Sequence, residues 1–146
     1  MMESTVNREP ESGTSRGQGL EGIRLTVDPG ICGFICLICA WKEDKAVRFD
    51  IRSDCGQIQK LARTLEPVTL KDLFVPLLRC HIFQCAETSR CHLGCPVPSS
   101  LVKAAEVVLG LALPKDVTIR ILEKGCVGER IPLLEFRREP FMKPHG

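Results

Sequence analysis

Nine cysteines in a chain of 146 residues leave two kinds of fold open. Such a chain is either held together by disulfides, or it folds around an ordinary core and uses its thiols for chemistry. The first 22 residues are polar and lack the apolar segment of a secretory signal, so we expect the reducing cytoplasm. Clustered thiols in that compartment more often bind metal or carry out redox chemistry than form disulfides. The odd number of cysteines favours the same interpretation.

The composition is that of an ordinary globular domain with 44% hydrophobic and 26% charged residues. The length suits one domain. The net charge is only +2 and no basic stripe occurs, which argues against nucleic acid as a partner. The longest apolar run, residues 30–41, is shorter than the roughly 20 residues that a membrane span needs. We therefore expect a soluble protein that binds neither nucleic acid nor membrane.

Changes in polarity along the chain predict three segments. Residues 1–22 contain few apolar side chains and are predicted to form a flexible N-terminal tail. Residues 23–122 are predicted to form a single α/β domain. Residues 123–146 mix glycine, proline and both signs of charge, which predicts an extended C-terminal tail.

Strands are predicted where apolar and polar residues alternate. This pattern occurs at residues 23–27, 47–51 and 117–122. Residues 34–41 are apolar at nearly every position, which predicts a central strand. A turn is expected at residues 28–30, and the polar residues 42–45 are expected to close a hairpin.

Helices are predicted where apolar residues recur at a spacing of three and four. The first should begin after Ser53 or Asp54, either of which can cap it, and should end before Pro67. Shorter helices are predicted at residues 69–74 and 81–90, and the longest at residues 99–112. Together these elements predict an α/β (α+β) fold: a two-layer sandwich of three to four mostly antiparallel strands with helices on one face.

Three cysteines occupy positions that favour a reactive or metal-binding thiolate. Cys32 lies among turn glycines, whose backbone lets a ligand come close. Cys55 is expected in the first helical turn and Cys95 just before the longest helix. The partial positive charge of a helix N-terminus favours a thiolate at both positions. We predict that the three thiols converge at one end of the sheet, with His92 as a candidate fourth metal ligand.

The other cysteines indicate a functional site less clearly. Cys36 and Cys39 lie in the predicted central strand, where they should point to opposite faces and fill the core. A group of six cysteines and histidines lies close together in the sequence but lacks the C-x2-C pairs of zinc ribbons. A structural zinc site in this group is therefore only an alternative. This group consists of Cys80, His81, Cys85, Cys91, His92 and Cys95.

Four motifs follow one another in the chain: Gly30-Ile31-Cys32-Gly33-Phe34, Ser53-Asp54-Cys55, Cys95-Pro96-Val97-Pro98-Ser99 and the segment 110–117. In these motifs the sequence resembles a family of small cysteine-containing domains of unknown function from anaerobic bacteria and methanogenic archaea. The resemblance covers roughly residues 23–122 and implies a role for Cys32, Cys55 and Cys95. His92 lies where that family tends to have a histidine. The outline from Cys95 to Ile121 is also similar to the C-terminal domain of iron–sulfur scaffold proteins.

Three functional hypotheses remain open. The leading one is a cytoplasmic metal-binding or iron–sulfur accessory or carrier protein. In it, Cys32, Cys55 and Cys95 bind an iron–sulfur cluster or zinc, with His92 or an exogenous group in the fourth position. A protein partner donates or accepts the bound group. The second is a thiol-dependent redox or nucleophilic enzyme with its cysteine at a helix N-terminus. The third is a protein-interaction module without a chemical site. No phosphate-binding glycine loop or Gly-x-Ser-x-Gly motif is present to indicate another enzyme class.

Overall fold

The structure is a computed structural model that describes residues 21–122, 124, 125 and 128. Most of the two predicted tails, residues 1–22 and 123–146, therefore lies outside the described residues, as does Cys126. The chain divides into two compact units, with the boundary after Pro114. Across the described ranges, no helix combines the length and the apolar character that crossing a membrane requires.

One antiparallel sheet contains four strands in the order β1-β2-β3-β4. These are β1 (Gly22–Val27), β2 (Cys36–Glu43), β3 (Ala46–Ser53) and β4 (Val68–Thr69). The predicted hairpin joins β2 to β3, and Asp44 in its turn adopts a positive φ of 56°. Aspartate tolerates this left-handed conformation better than most side chains do.

Three α-helices cover one face of the sheet. They are α1 (Gly56–Thr64), α2 (His81–Thr88) and α3 (Val97–Val108), and short 3₁₀ helices occupy Leu70–Leu73 and Leu77–Arg79. Helix α3 packs on β1 and β2, α1 packs on β3, and α2 lies against both α1 and α3. The predicted α+β fold with two layers is therefore confirmed.

The core lies between the sheet and the helices. Ile38 of β2, Leu61 of α1 and Leu101 of α3 are all fully buried there. Strand β2 lies between two neighbours, as predicted for a central strand, but it buries only one face. Leu37 on its other face remains 39% exposed, so the apolar character of β2 exceeds what the core requires.

The predicted final strand at residues 117–122 is wrong. These residues have no regular secondary structure. Ile119 and Ile121 are 82% and 84% exposed. Alternating polarity does not make a strand by itself, because the backbone needs a paired neighbour and the apolar side chains need a cover. The fourth strand is instead the two-residue β4, whose Val68 lies opposite Val47.

Two helices differ at their ends from the prediction. Helix α1 has Cys55 as its N-cap residue, so neither Ser53 nor Asp54 caps it, and Cys55 lies just before the first turn. Helix α3 begins two residues earlier than predicted, with Pro98 in its first turn, and ends before Gly110. Gly110 has a φ of 77°, which ends α3 in the left-handed conformation that glycine tolerates best.

Candidate thiol site

Cys32 lies on a tight turn between β1 and β2 and is exposed. The N–H of Gly30 donates to Oδ1 of Asp28 at 3.0 Å, and the N–H of Gly33 donates to the carbonyl of Gly30 at 3.0 Å. Gly30 and Gly33 have φ values of 85° and 73°, which other residues adopt only with strain. The predicted turn is therefore present, and its glycines hold Cys32 on the surface.

Cys55 joins the end of β3 to the start of α1. Its N–H donates to Oγ of Ser53 at 3.2 Å, and its carbonyl accepts the N–H of Gln59 at 2.9 Å. Its thiol donates to Oε1 of Gln57 at 3.2 Å and is partly buried against the core. These contacts fix the thiol at the N-terminus of α1, where the partial charge of the helix is positive.

Cys95 lies at the end of the loop between α2 and α3. Its N–H donates to the carbonyl of His92 at 3.0 Å. Burial raises the pKa of Cys95 above the ordinary value of a thiol, although the N–H of Val97 donates a hydrogen bond to the thiolate and opposes the rise. The start of α3 does favour the Cys95 thiolate through the N–H of Val97, but desolvation outweighs this hydrogen bond.

Repulsion between thiolates couples the titration of five of the cysteines. An ionised Cys55 raises the pKa of Cys36, Cys91 and Cys95. An ionised Cys95 does the same to Cys36 and Cys91, and an ionised Cys32 raises the pKa of Cys95. These couplings join Cys32 to Cys95, and they join Cys55 and Cys95 to each other and to Cys36 and Cys91. We call the five residues the thiol cluster.

Cys36 belongs to the thiol cluster although the sequence predicted only a core position for it. It is fully buried, and burial followed by repulsion from the Cys95 and Cys55 thiolates raises its pKa to about 11. The sequence does contain a signal that Cys36 lies near Cys55. A hairpin closed at residues 42–45 pairs Cys36 with Ser53, which lies two residues before Cys55.

Cys91 is the other member that the predicted trio omitted. It lies in the loop after α2 and is partly buried against the core. Burial raises its pKa, and the thiolates of Cys95 and Cys55 raise it further. No periodic pattern in the sequence distinguishes Cys91 from its neighbour His92, because neither lies in a regular element.

His92, the predicted fourth ligand, is exposed. Its backbone carbonyl closes the turn to Cys95, but no hydrogen bond joins its imidazole to a thiol of the described residues. Within the part of the chain that the structure describes, no group of three or more His, Cys, Asp or Glu side chains is positioned to hold a metal ion.

Cys85 and His81 form a separate pair on α2. The sulfur of Cys85 lies 3.6 Å from Nε2 of His81, and that nitrogen also accepts the N–H of Glu66 at 3.2 Å. The thiol donates to the carbonyl of Thr64 at 3.8 Å. Burial, as the largest cause, raises the pKa of Cys85. Nε2 of His81 already accepts a backbone N–H, so it is not arranged as a base for the Cys85 thiol. The pair instead connects α2 to the end of α1.

An open cavity of about 470 Å³ lies beside the strand ends that lead to the thiol cluster. Its lining comes from Ile35, Ile51, Arg52, Ser53, Asp54 and Gln59. Ile35 precedes Cys36, and Asp54 precedes Cys55, so the cavity borders the same end of the sheet. Its lining combines apolar side chains with a carboxylate and a guanidinium.

Residues 23–121 match the family model of a protein family of unknown function, DUF6951. The match covers more than half of the chain, and the protein belongs to this family. All five cysteines of the thiol cluster lie within the matched range. No curated protein and no solved structure matches the chain.

Proposed function

We propose that this cysteine-rich member of the family is a cytoplasmic metal-binding or iron–sulfur accessory protein, in which Cys32, Cys55 and Cys95 are ligands. The observation that supports the proposal is the electrostatic coupling of five thiols that come from three separate loops and one strand. Thiolates prefer zinc, copper(I) and iron–sulfur clusters to magnesium or calcium. Among these, we propose zinc or an iron–sulfur cluster as the bound group.

The electrostatics of the thiol cluster support a bound cation better than a reactive thiol. A nucleophilic cysteine needs a lowered pKa, but burial raises the pKa of Cys36, Cys91 and Cys95. The same thiolates also repel one another. A metal ion removes that repulsion and displaces the protons, so the crowding that opposes ionisation of the free thiols favours metal binding. These properties favour the metal-binding hypothesis over a thiol-dependent enzyme.

The exposure of Cys32 supports a carrier role. Cys32 lies on a surface turn beside Ile31, whose side chain is completely exposed. Exchange of a metal or cluster between proteins requires a ligand that the incoming thiol can reach. We propose that a protein partner donates or accepts the bound group at this turn, while Cys55 and Cys95 hold it from the core side.

Anaerobic purification followed by metal analysis and an absorption spectrum of the same sample tests the proposal. We expect about one zinc ion or one cluster per chain, as a single thiolate site predicts. Cys32→Ser, Cys55→Ser and Cys95→Ser should each lower the amount bound. The matched control is Cys39→Ser, because Cys39 lies on the opposite face of the sheet.

A folded wild-type protein that takes up neither zinc nor iron, even when each is supplied anaerobically, contradicts the proposal. Equal loss of metal in Cys39→Ser and in the three site variants also contradicts it. Circular dichroism of every variant separates loss of a ligand from loss of the fold.

A further inference from the structure

We propose that residues 70–79, which connect β4 to α2, form a docking surface for a negatively charged amphipathic helix of a partner protein. We call these ten residues the apolar patch. The apolar patch contains no cysteine, so the inference does not depend on whether the protein binds a metal. It concerns a second surface of the molecule and the chemistry of the partner that this surface fits.

The apolar patch exposes five large apolar side chains within nine consecutive residues. Phe74, Leu77 and Leu78 are 71%, 63% and 82% exposed. Leu70 and Val75 are exposed to a smaller extent. A single exposed apolar residue is common on protein surfaces, whereas a group of such residues marks an interaction site.

Backbone hydrogen bonds hold the apolar patch in a defined shape. The N–H of Phe74 donates to the carbonyl of Lys71 at 3.2 Å, and the N–H of Arg79 donates to the carbonyl of Pro76 at 2.8 Å. Leu73 packs against the core and anchors the segment. A partner therefore meets a preformed surface, and binding costs little of the conformational entropy of this segment.

The charged groups of the apolar patch leave it positive. Its one acidic residue, Asp72, is engaged within the chain, because Oδ2 accepts the N–H and the hydroxyl of Thr69 at 2.7 and 2.9 Å. Lys71 and Arg79 are exposed, and neither side chain has an ion pair or hydrogen bond among the residues that the structure describes. The apolar side chains are thus flanked by two free cations, which are complementary to carboxylates.

The shape and charge of the apolar patch favour one kind of occupant. The turns at residues 70–73 and 77–79 are 3₁₀ helices, so their backbone does not offer the free strand edge that an added strand needs. An amphipathic helix instead presents an apolar stripe with charged residues beside it. In a symmetric dimer through this patch, Lys71 and Arg79 would meet a surface with the same free cations, which argues against a second copy.

Titration of the full-length ¹⁵N-labelled protein with a synthetic helical peptide, followed by NMR, tests the proposal. The peptide carries leucine on one face and glutamate on the other, and a control peptide has lysine in place of every glutamate. We expect the acidic peptide to shift the amide signals of residues 70–80 and the lysine peptide to leave them unchanged. Added salt should weaken the binding, because Lys71 and Arg79 are exposed.

Leu78→Ser should bind the acidic peptide about tenfold more weakly, as expected for an apolar side chain inside a contact surface. The matched control is Leu113→Ser, because Leu113 is 76% exposed but lies outside the apolar patch. Lys71→Glu combined with Arg79→Glu should also weaken binding, although it removes no apolar side chain. All these side chains are exposed, so the variants should keep the fold, which circular dichroism checks.

Four outcomes overturn the proposal. The first is that the acidic peptide does not bind, and the second is that the lysine peptide binds equally well. The third is that Leu78→Ser binds the acidic peptide as tightly as Leu113→Ser does. The fourth is that Leu78→Ser abolishes self-association of the wild type or its binding to vesicles of anionic lipid, which would assign the apolar patch to a second copy or to a membrane.

Discussion

Cys36 and Cys39 lie three residues apart on β2 but on opposite faces of the sheet. Cys36 is fully buried under the helices in register with Ser53, whereas Cys39 lies in register with Arg24 and Asp50 on the other face. Side chains alternate along a strand, so this spacing separates the two thiols. One strand therefore supplies both a buried member of the thiol cluster and a cysteine outside it.

We expect iodoacetamide to alkylate Cys39 much faster than Cys36 in the folded, reduced, metal-free protein at pH 8. Cys36 is fully buried and has a pKa of about 11, so only about one molecule in a thousand carries its thiolate at that pH. Mass spectrometry of peptides from a time course measures both rates. Equal rates in protein that remains folded would contradict the burial of Cys36.

The stability of the fold should decrease as the pH rises from about 9 to about 11. The folded chain holds the Cys36 proton up to a pKa of about 11, whereas an unfolded chain releases it near 9.0. Within that window the unfolded chain binds fewer protons, so raising the pH favours unfolding. Allowing for partial solvation, we expect Cys36 to contribute about 1 to 2 kcal/mol to the loss.

Urea unfolding at several pH values between 8 and 11 measures this loss. Cys36→Ala should flatten the profile and Cys39→Ser should leave it unchanged. Burial also raises the pKa of Cys85, Cys91 and Cys95, so some decrease should remain in Cys36→Ala. A profile of Cys36→Ala as steep as that of the wild type would show that this thiol does not gain its proton affinity from folding.

Much of the fold follows from patterns that depend only on neighbours in the chain. Alternation predicts β1 and β3, and apolar spacing predicts α1 and α3, because each element buries one face against the same core. The same alternation fails at residues 117–122, where Ile119 and Ile121 remain exposed. Residues that are close in the sequence do not reveal which strand will pair with which. For the same reason, the two-residue β4 was not predicted.

Local patterns likewise predict some residues of the candidate site and miss others. Local signals, namely turn glycines and helix starts, indicate Cys32, Cys55 and Cys95, and ionised Cys55 and Cys32 both raise the pKa of Cys95. To predict that Cys36 belongs to the thiol cluster, one needs the register of the hairpin. To predict the same for Cys91, one needs the path of an irregular loop. The direction of the Cys95 pKa depended on burial, which a single helix-start pattern does not report.

The turn that carries Cys32 should depend on the conformation of Gly33. Gly33 has a φ of 73° and nothing lies within 4 Å of a Cβ built there, so Gly33→Ala introduces backbone strain without a clash. We expect a loss of about 1 kcal/mol in the free energy of unfolding. Gly94→Ala is the matched control, since Gly94 has the same free space and no positive φ.

Urea unfolding measures both glycine variants, and Gly94→Ala should be neutral or slightly more stable than the wild type. If Cys32 is a ligand, Gly33→Ala should also bind zinc more weakly, because the strained turn no longer holds the thiol in place. Equal stability of the two variants would contradict the left-handed turn at Gly33.

Zinc binding at pH 7 should release about one proton fewer from Cys95→Ser than from the wild type. Burial and the neighbouring thiolates raise the pKa of Cys95, so its thiol is neutral at pH 7 in the metal-free protein and must lose its proton to bind zinc. Calorimetric titration in buffers of different ionisation enthalpy counts the protons released. Cys39→Ser should release as many as the wild type, because its thiol lies on the other face of β2. An unchanged proton count in Cys95→Ser, with zinc still bound, would show that Cys95 is not a ligand.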